Sequence, residues 1–238
     1  MTAPLHFLVT AGNTREKIDA VRDWGNIFTG NTGFDIAKAL AQLGEVDLLT
    51  SNLTHLAAVN AGLNLPHAIR ASGFDSHACL SGALSAIMAR QKFDAIFMTA
   101  AVADYKPART YSVIERKPAE NGEEIWCVRD AQAGKVKSTH REIAVLGQQT
   151  EKIVDRFRKD WNHRGLLFKF KLEVGVSRED LIRIGQASRA ASGAEYLVAN
   201  SLEMVQGQTP GAFILSERGE EWIARSELAK RLAELAVT

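Results

Sequence analysis

Two glycine-bearing loops near the start of the chain hold residue types suited to phosphate chemistry. The apolar run Phe7-Leu8-Val9-Thr10 passes directly into Ala11-Gly12-Asn13-Thr14-Arg15-Glu16. Beyond Ile18 and Asp19 comes Asn26-Ile27-Phe28-Thr29-Gly30-Asn31-Thr32-Gly33, which opens a helix. A small-residue turn at the carboxyl end of a strand, followed by a glycine-bearing helix entry, lets the backbone approach a phosphate and aims peptide N–H groups at it. The spacing matches neither Gly-x-Gly-x-x-Gly nor the Gly-Lys-Ser/Thr of a P-loop, so alone it marks a nucleotide-type turn and no particular reaction.

Further along, Asp104 follows Ala100, Ala101 and Ala103 at the carboxyl end of the apolar run Phe93 to Thr99, where open α/β sheets bind ligands. An aspartate there is equally an N-cap or turn residue. Lys135 and Lys137 lie in a polar loop beside Gly134, where a lysine is ordinarily solvated. Cys79 and Cys127 show no metal-ligand spacing, which fits a reducing compartment, and are expected as packing residues.

The elements that must position these residues alternate. Strand-like runs at Leu5–Thr10, Val46–Thr50, Phe93–Thr99, Gly165–Phe168 and Tyr196–Ala199 are separated by helix-like runs at 32–43, 75–90 and 178–191. Ala212–Leu215, Trp222–Ala224 and Glu227–Leu235 read as a hairpin and closing helix. Strand alternating with helix predicts an α/β, Rossmann-like, doubly wound and mostly parallel sheet, in one domain spanning residues 1–238. Residues 107–149 break the pattern. Tyr111–Ile114, Ile125–Val128 and Ile143–Leu146 read as inserted antiparallel strands, a protruding sheet and flap expected to pair two subunits into a homodimer.

The 29 basic and 28 acidic residues leave a formal charge of +1, spread along the whole chain. No electrostatic footprint for nucleic acid or an anionic membrane results. With no signal-peptide core and no window near 18 apolar residues, a soluble cytoplasmic protein acting on small molecules is expected.

Three segments in order resemble phosphopantothenoylcysteine synthetase, the ligase of coenzyme A biosynthesis. The first is Thr10 to Glu16 with Ile18-Asp19, Val21-Arg22, Asn26, Gly30 and Gly33. The second is Thr99-Ala100-Ala101-Val102-Ala103-Asp104-Tyr105 with Gly134-Lys135-Val136-Lys137-Ser138 downstream. The third is Phe170-Lys171-Leu172-Glu173 and Val198-Ala199-Asn200. The chain is most similar to stand-alone members, sharing their Phe-Lys-Leu and long flap. It lacks the Asn-Pro-Asp stretch linked to CTP use and has no counterpart of the flavin-dependent decarboxylase half.

The resemblance implies that 4′-phosphopantothenate is activated as an acyl-nucleotide with ATP or CTP and Mg²⁺, then attacked by cysteine. It places Asn26 on the substrate carboxyl, as an uncharged donor to the developing oxyanion, and Lys135 at formation of the intermediate, with Lys137 its rival. Gly12, Ala100, Ala101, Asp104, Phe170 and Asn200 are implied at the nucleotide, with Gly30, Asn31 and Gly33 at phosphate and Arg15 or Arg22 adding charge. Metal ligands are left unassigned. Two departures stand out: Asn13 occupies a position usually held by glycine, and Ala187, Ser188, Ala191 and Ser192 stand where the family supplies triphosphate lysines, leaving Arg183 or Arg189 to replace them. A nucleotide-binding or regulatory protein of the same fold is the alternative. An NAD(P)-dependent oxidoreductase fits less well, because Tyr105-Lys106 is adjacent rather than Tyr-x-x-x-Lys and Val46–Thr50 ends in Ser51-Asn52 without an acidic residue.

Overall fold

A computed structural model describes residues 4–206 and 210–238. The strands are β1 (Leu5–Ala11), β2 (Arg15–Lys17), β3 (Asp23–Gly25), β4 (Gly44–Thr50), β5 (Ile69–Gly73), β6 (Ala95–Met98), β7 (Tyr105–Pro118), β8 (Glu124–Asp130), β9 (Ile143–Gln149), β10 (Leu166–Glu173), β11 (Tyr196–Ser201), β12 (Gly211–Ser216) and β13 (Gly219–Ala224). The helices are α1 (Asn31–Leu40), α2 (Leu53–Asn60), α3 (His77–Met88), α4 (Ile153–Lys159), α5 (Arg178–Ser192), α6 (Leu202–Gln206) and α7 (Arg225–Leu235).

Eight strands form the central sheet in the order β13-β12-β11-β10-β6-β1-β4-β5. The six from β11 to β5 run parallel, and β12 and β13 close the edge antiparallel. Alternation along β1 divides the core: Phe7, Val9 and Ala11 pack with Ile36 and Leu40 of α1 and Leu232 of α7 on one face. Leu8 packs with Leu80 and Leu84 of α3 and Phe157 of α4 on the other. Leu181 of α5 covers Leu197 and Leu215 in a third cluster. Helices on both faces of a mostly parallel sheet are the doubly wound architecture that the alternation predicts.

After β1 the chain winds outward through β4 to β5, then returns to lay β6 on the opposite side of β1. The order reverses between β1 and β6, and a crevice opens beyond the carboxyl ends of strands at such a point.

The inserted strands are longer than their apolar segments suggest. β7 runs for 14 residues and pairs with β8 and β9 on either side, bulging between Val113 and Glu115 and between Pro107 and Arg109. All seven residues of β8 are exposed. The packing role expected for the cysteines is corrected here: Cys79 and Cys127 are both exposed. α3 buries only Leu80 and Leu84, so its inward stripe excludes Cys79.

Candidate nucleotide-binding active site

The crevice at the order reversal is a cleft of about 240 Å³. Its floor comes from the loops after β1 and β6, which are joined to each other. Ala101 N–H donates to Gly12 C=O at 2.9 Å, Thr14 N–H to Ala101 C=O at 3.2 Å, and Asn13 pairs with Ala101 as an isolated parallel bridge. Buried threonines continue the join. Thr10 Oγ1 accepts from Ala100 N–H at 3.2 Å, and Thr14 Oγ1 from Ala103 N–H at 2.8 Å.

One wall is the entry to α1. Gly30 caps the helix in the left-handed region at φ 80°, with no side chain bonded to the cap. A Cβ there would lie 2.6 Å from Gly12 Cα, so glycine is required both by conformation and by the approach of the two loops. Gly33 sits 2.8 Å, as an ideal Cβ, from that of Ala11, which lets α1 settle against β1. The first-turn N–H groups of α1 open toward the cleft without an acidic residue among them, a natural seat for an anion. The far wall is Phe170 and Lys171 of β10 with Asn200 of β11 and Arg225 of α7.

Of the sequence-derived candidates, Gly12, Gly30, Asn31 and Gly33 line the cleft, as do Ala100, Ala101, Phe170 and Asn200. Asn26 stands at its edge, donating through Nδ2 to Ala101 C=O at 3.2 Å. Asn13 does not obstruct the turn. Its backbone N–H donates to Ser51 Oγ at 2.8 Å, and its side-chain Nδ2 bonds the Asn26 carbonyl. The residue in the usual glycine position thus pins the loop that carries Asn26.

Other candidates stand outside the cleft lining. Asp104 is exposed and ion-paired to Lys152, and Arg15 is exposed, with its backbone N–H donating to Asp75 C=O at 2.7 Å. Arg22 is 2.8 Å from Asp19 and also bonds the Val136 carbonyl. Arg183 pairs with Asp180 at 2.7 Å on the exposed face of α5. Arg189 bonds Gln186 and the Ala194 carbonyl. Neither Arg183 nor Arg189 supplies the cleft with charge. β10 does: Lys171 lines it, and Lys169, two residues earlier on the same strand face, is held by a bond to Ser188 C=O at 3.1 Å. Burial pushes the Lys169 ammonium below its usual range, with Lys152 and Lys171 acting in the same direction against Asp155.

The flap holding Lys135 is fastened to the first loop by Asp19, whose role no local pattern announces. The Asp19 side chain is fully inaccessible. Its Oδ1 accepts from Val21 and Arg22 N–H, both at 2.9 Å, and its Oδ2 accepts from Val136 N–H at 3.1 Å. The Val21 N–H bond foremost, with those of Val136 and Arg22 and the Arg22 charge, holds this carboxyl below the usual aspartate range. Ala20 N–H donates to Gly134 C=O at 2.9 Å, and Val136 is buried beneath. Lys135 and Lys137, on either side of Val136, are exposed.

Comparison with known proteins agrees with this fold. The family model for the DNA/pantothenate metabolism flavoprotein C-terminal domain matches residues 3–125. The coenzyme A biosynthesis bifunctional protein CoaBC of Mycobacterium tuberculosis is 27% identical over 241 residues, covering 97% of this chain and 51% of that protein. The chain therefore spans about half the length of the curated relatives it matches. Among solved structures, the DNA/pantothenate metabolism flavoprotein of Streptococcus pneumoniae superposes with a TM-score of 0.71 at 23% identity, covering 99% of this chain and 97% of that one. A Cab2 mutant in complex with phosphopantothenate-cysteine gives 0.67 at 14% identity, covering 98% and 87%. At these identities the structural likeness speaks for the fold, while the family match spans more than half of the chain. The chain belongs to the family of the DNA/pantothenate metabolism flavoprotein C-terminal domain.

Proposed function

We propose that this chain is a ligase of coenzyme A biosynthesis that joins 4′-phosphopantothenate to cysteine through an acyl-nucleotide, using ATP or CTP. The observation that carries the reading is the convergence of three distant segments, around Gly12–Gly33, Thr99–Ala101 and Phe170–Asn200, on one cleft at the order reversal of the sheet. The relatives' part in coenzyme A biosynthesis supports it.

The base lies against Phe170, whose ring is shared between cleft and core. The phosphates meet the amino end of α1, with Lys171 and Arg225 adding charge from the far wall. Asn26 has one amide hydrogen engaged with Ala101 and one to offer the reacting carboxyl, where it steadies the oxyanion without adding charge. Lys135 reaches in from the flap to offset phosphate charge as the mixed anhydride forms, and pyrophosphate departs. Cysteine nitrogen then attacks the acyl carbon, expelling the nucleoside monophosphate.

Mg²⁺ fits as a cation carried in by the nucleotide. Among the described residues no three His, Cys, Asp or Glu side chains converge to cage a metal, and triphosphate-bound Mg²⁺ keeps mostly phosphate and water oxygens. Bound there, it offsets phosphate charge.

The exposed apolar side chains of the inserted sheet, Ile114, Ile125, Trp126, Val128, Ile143 and Leu146, support a homodimer through that surface. Turnover of purified protein with phosphopantothenate, cysteine, Mg²⁺ and either nucleotide should release one pyrophosphate per product. Folded protein that releases none with ATP or CTP overturns the ligase reading. A thermal shift with nucleotide under the same conditions then favours binding without ligation, a reading the lysine-free face of α5 supports.

A further inference from the structure

Beneath the entry to α1 lies a polar cluster to which the proposed chemistry assigns no part. His55 of α2 is 3% exposed and stacks on Phe34 of α1 with ring centroids 4.4 Å apart. Its Nδ1 is 3.1 Å from Thr50 Oγ1, and its Nε2 is 3.0 Å from Oδ1 of Asn31, the first residue of α1 and part of the cleft wall. Thr50 Oγ1 accepts the Asn52 N–H at 3.1 Å, which leaves the hydroxyl proton for Nδ1. We assign the ring proton to Nε2, whose nearer partner is Asn31 Oδ1 at 3.0 Å and whose other neighbour, Asn52 Nδ2, stands at 3.3 Å. Burial pushes the His55 pKa down, Lys38 acting with it and Asp35 against it, so the ring is neutral at physiological pH. Asn52 completes the cluster. Its Oδ1 caps α2 by accepting Thr54 N–H at 2.9 Å, and its Nδ2 donates to Thr29 C=O at 3.0 Å, just before Gly30.

We infer that His55 is a positioning residue that acts through Asn31 to make the α1 entry a donors-only surface, matched to a phosphate oxyanion. An unrestrained asparagine can turn either its oxygen or its nitrogen toward a ligand. With Oδ1 turned to the imidazole, the Asn31 amide directs the hydrogens of Nδ2 the other way, toward the cleft. These add to the first-turn N–H groups of α1, and no acceptor is left at that point to repel phosphate oxygen. The inference rests on the reading of the cleft as a nucleotide site and names the side chain that orients its phosphate end.

Calorimetric titration of ATP and CTP, with and without Mg²⁺, should be run on wild type, His55→Phe, His55→Gln, Asn31→Ala and the His55→Phe/Asn31→Ala double variant. Phenylalanine keeps the stack on Phe34 and loses both hydrogen bonds, so affinity should fall roughly five- to tenfold. Glutamine restores an amide donor near Nε2 and should stay within about twofold. The double variant should bind no more weakly than Asn31→Ala alone. Independently of any ligand, the Asn31 side-chain amide resonances, assigned by their loss in Asn31→Ala, should move in His55→Phe and return in His55→Gln. Unchanged affinity and unchanged amide resonances in folded His55→Phe overturn the positioning role alone. Wild type that binds neither nucleotide overturns the nucleotide-site reading and this inference with it. Should His55→Phe fail to fold, Asn31→Ala decides, since undiminished binding there removes the donor the proposal requires.

Discussion

From Phe7 to Ala11 every residue of β1 is buried, and the loop it delivers is tied to the β6 loop by backbone bonds. Along β8 all seven residues are exposed, and the flap beyond it is fastened to the first loop by a few polar bonds, from Val136 to Asp19, from Ala20 to Gly134 and from Arg22 to Val136. The active site we propose thus combines a part that packing holds and a part that a few polar bonds hold. Binding geometry is placed on the first, where a shift of one element would disturb the core. On the proposed function, the lysine that approaches phosphate and withdraws, Lys135, is carried by the second.

The strongest test of this contrast sets Gly30→Ala against Lys135→Ala. A methyl at Gly30 meets the backbone of Gly12 and must also hold a left-handed conformation, which should cost on the order of 3 kcal/mol and lower Tm by roughly 6–12 °C, with nucleotide binding lost. Removing the exposed Lys135 side chain should leave Tm and nucleotide affinity near wild type while turnover falls about a hundredfold or more. Scanning calorimetry and steady-state kinetics on both variants check this. A Lys135→Ala protein that melts as early as Gly30→Ala, or that retains turnover, erases the distinction between the two regions.

A second test works on the fastening itself. Asp19→Asn keeps the shape but replaces an acceptor of three backbone N–H bonds and an arginine partner with a neutral amide. Turnover should drop about tenfold, with nucleotide affinity unchanged and the core intact. Limited proteolysis should cut within residues 131–138 faster than in wild type. Equal cleavage rates together with undiminished turnover would show that the flap is held elsewhere.

The first region is legible in the sequence almost throughout and the second only in its three inserted strands, and the reason lies in the same physics. β1, β6 and β11 are central strands buried on both faces, so their apolar runs and the small residues that follow mark them directly. The cleft glycines were legible because only close backbone approach explains them. β2 and β3 are three residues each, too short for any period, and the Asp19 bond to Val136 spans 117 positions. α2 buries His55 alone among its residues and therefore shows no apolar stripe. Cys79 is apolar enough to be expected in the core, but it lies beside the buried stripe of α3, which passes through Leu80 and Leu84. Asn13 could be read as a departure from a glycine, whereas its bond to the Asn26 carbonyl needed the fold.

The smallest expected effect uses pH to separate the regions, because their titrating groups shift in ways that matter at different acidities. His55 under the cleft and His163 before β10 both have pKa values lowered below 6.5, chiefly by burial. Between 6.5 and the lower folded value the unfolded chain binds more protons than the native one, so stability declines as pH falls through that window and the decline ends below it. Asp19 contributes in the same direction but in a far more acidic window. Its folded pKa lies below 3.8, so its contribution is complete above that value and is lost only as pH drops through the folded pKa. Hydrogen exchange measured from about pH 7.5 to about pH 5, corrected for intrinsic rates, should therefore show falling protection in α2. The Val136 amide, bonded to Asp19, should keep its protection over the same range. His55→Phe should flatten the response of α2 without changing that of Val136. Protection lost first at Val136 would place the acid-sensitive element in the flap, reversing the order that these two environments dictate.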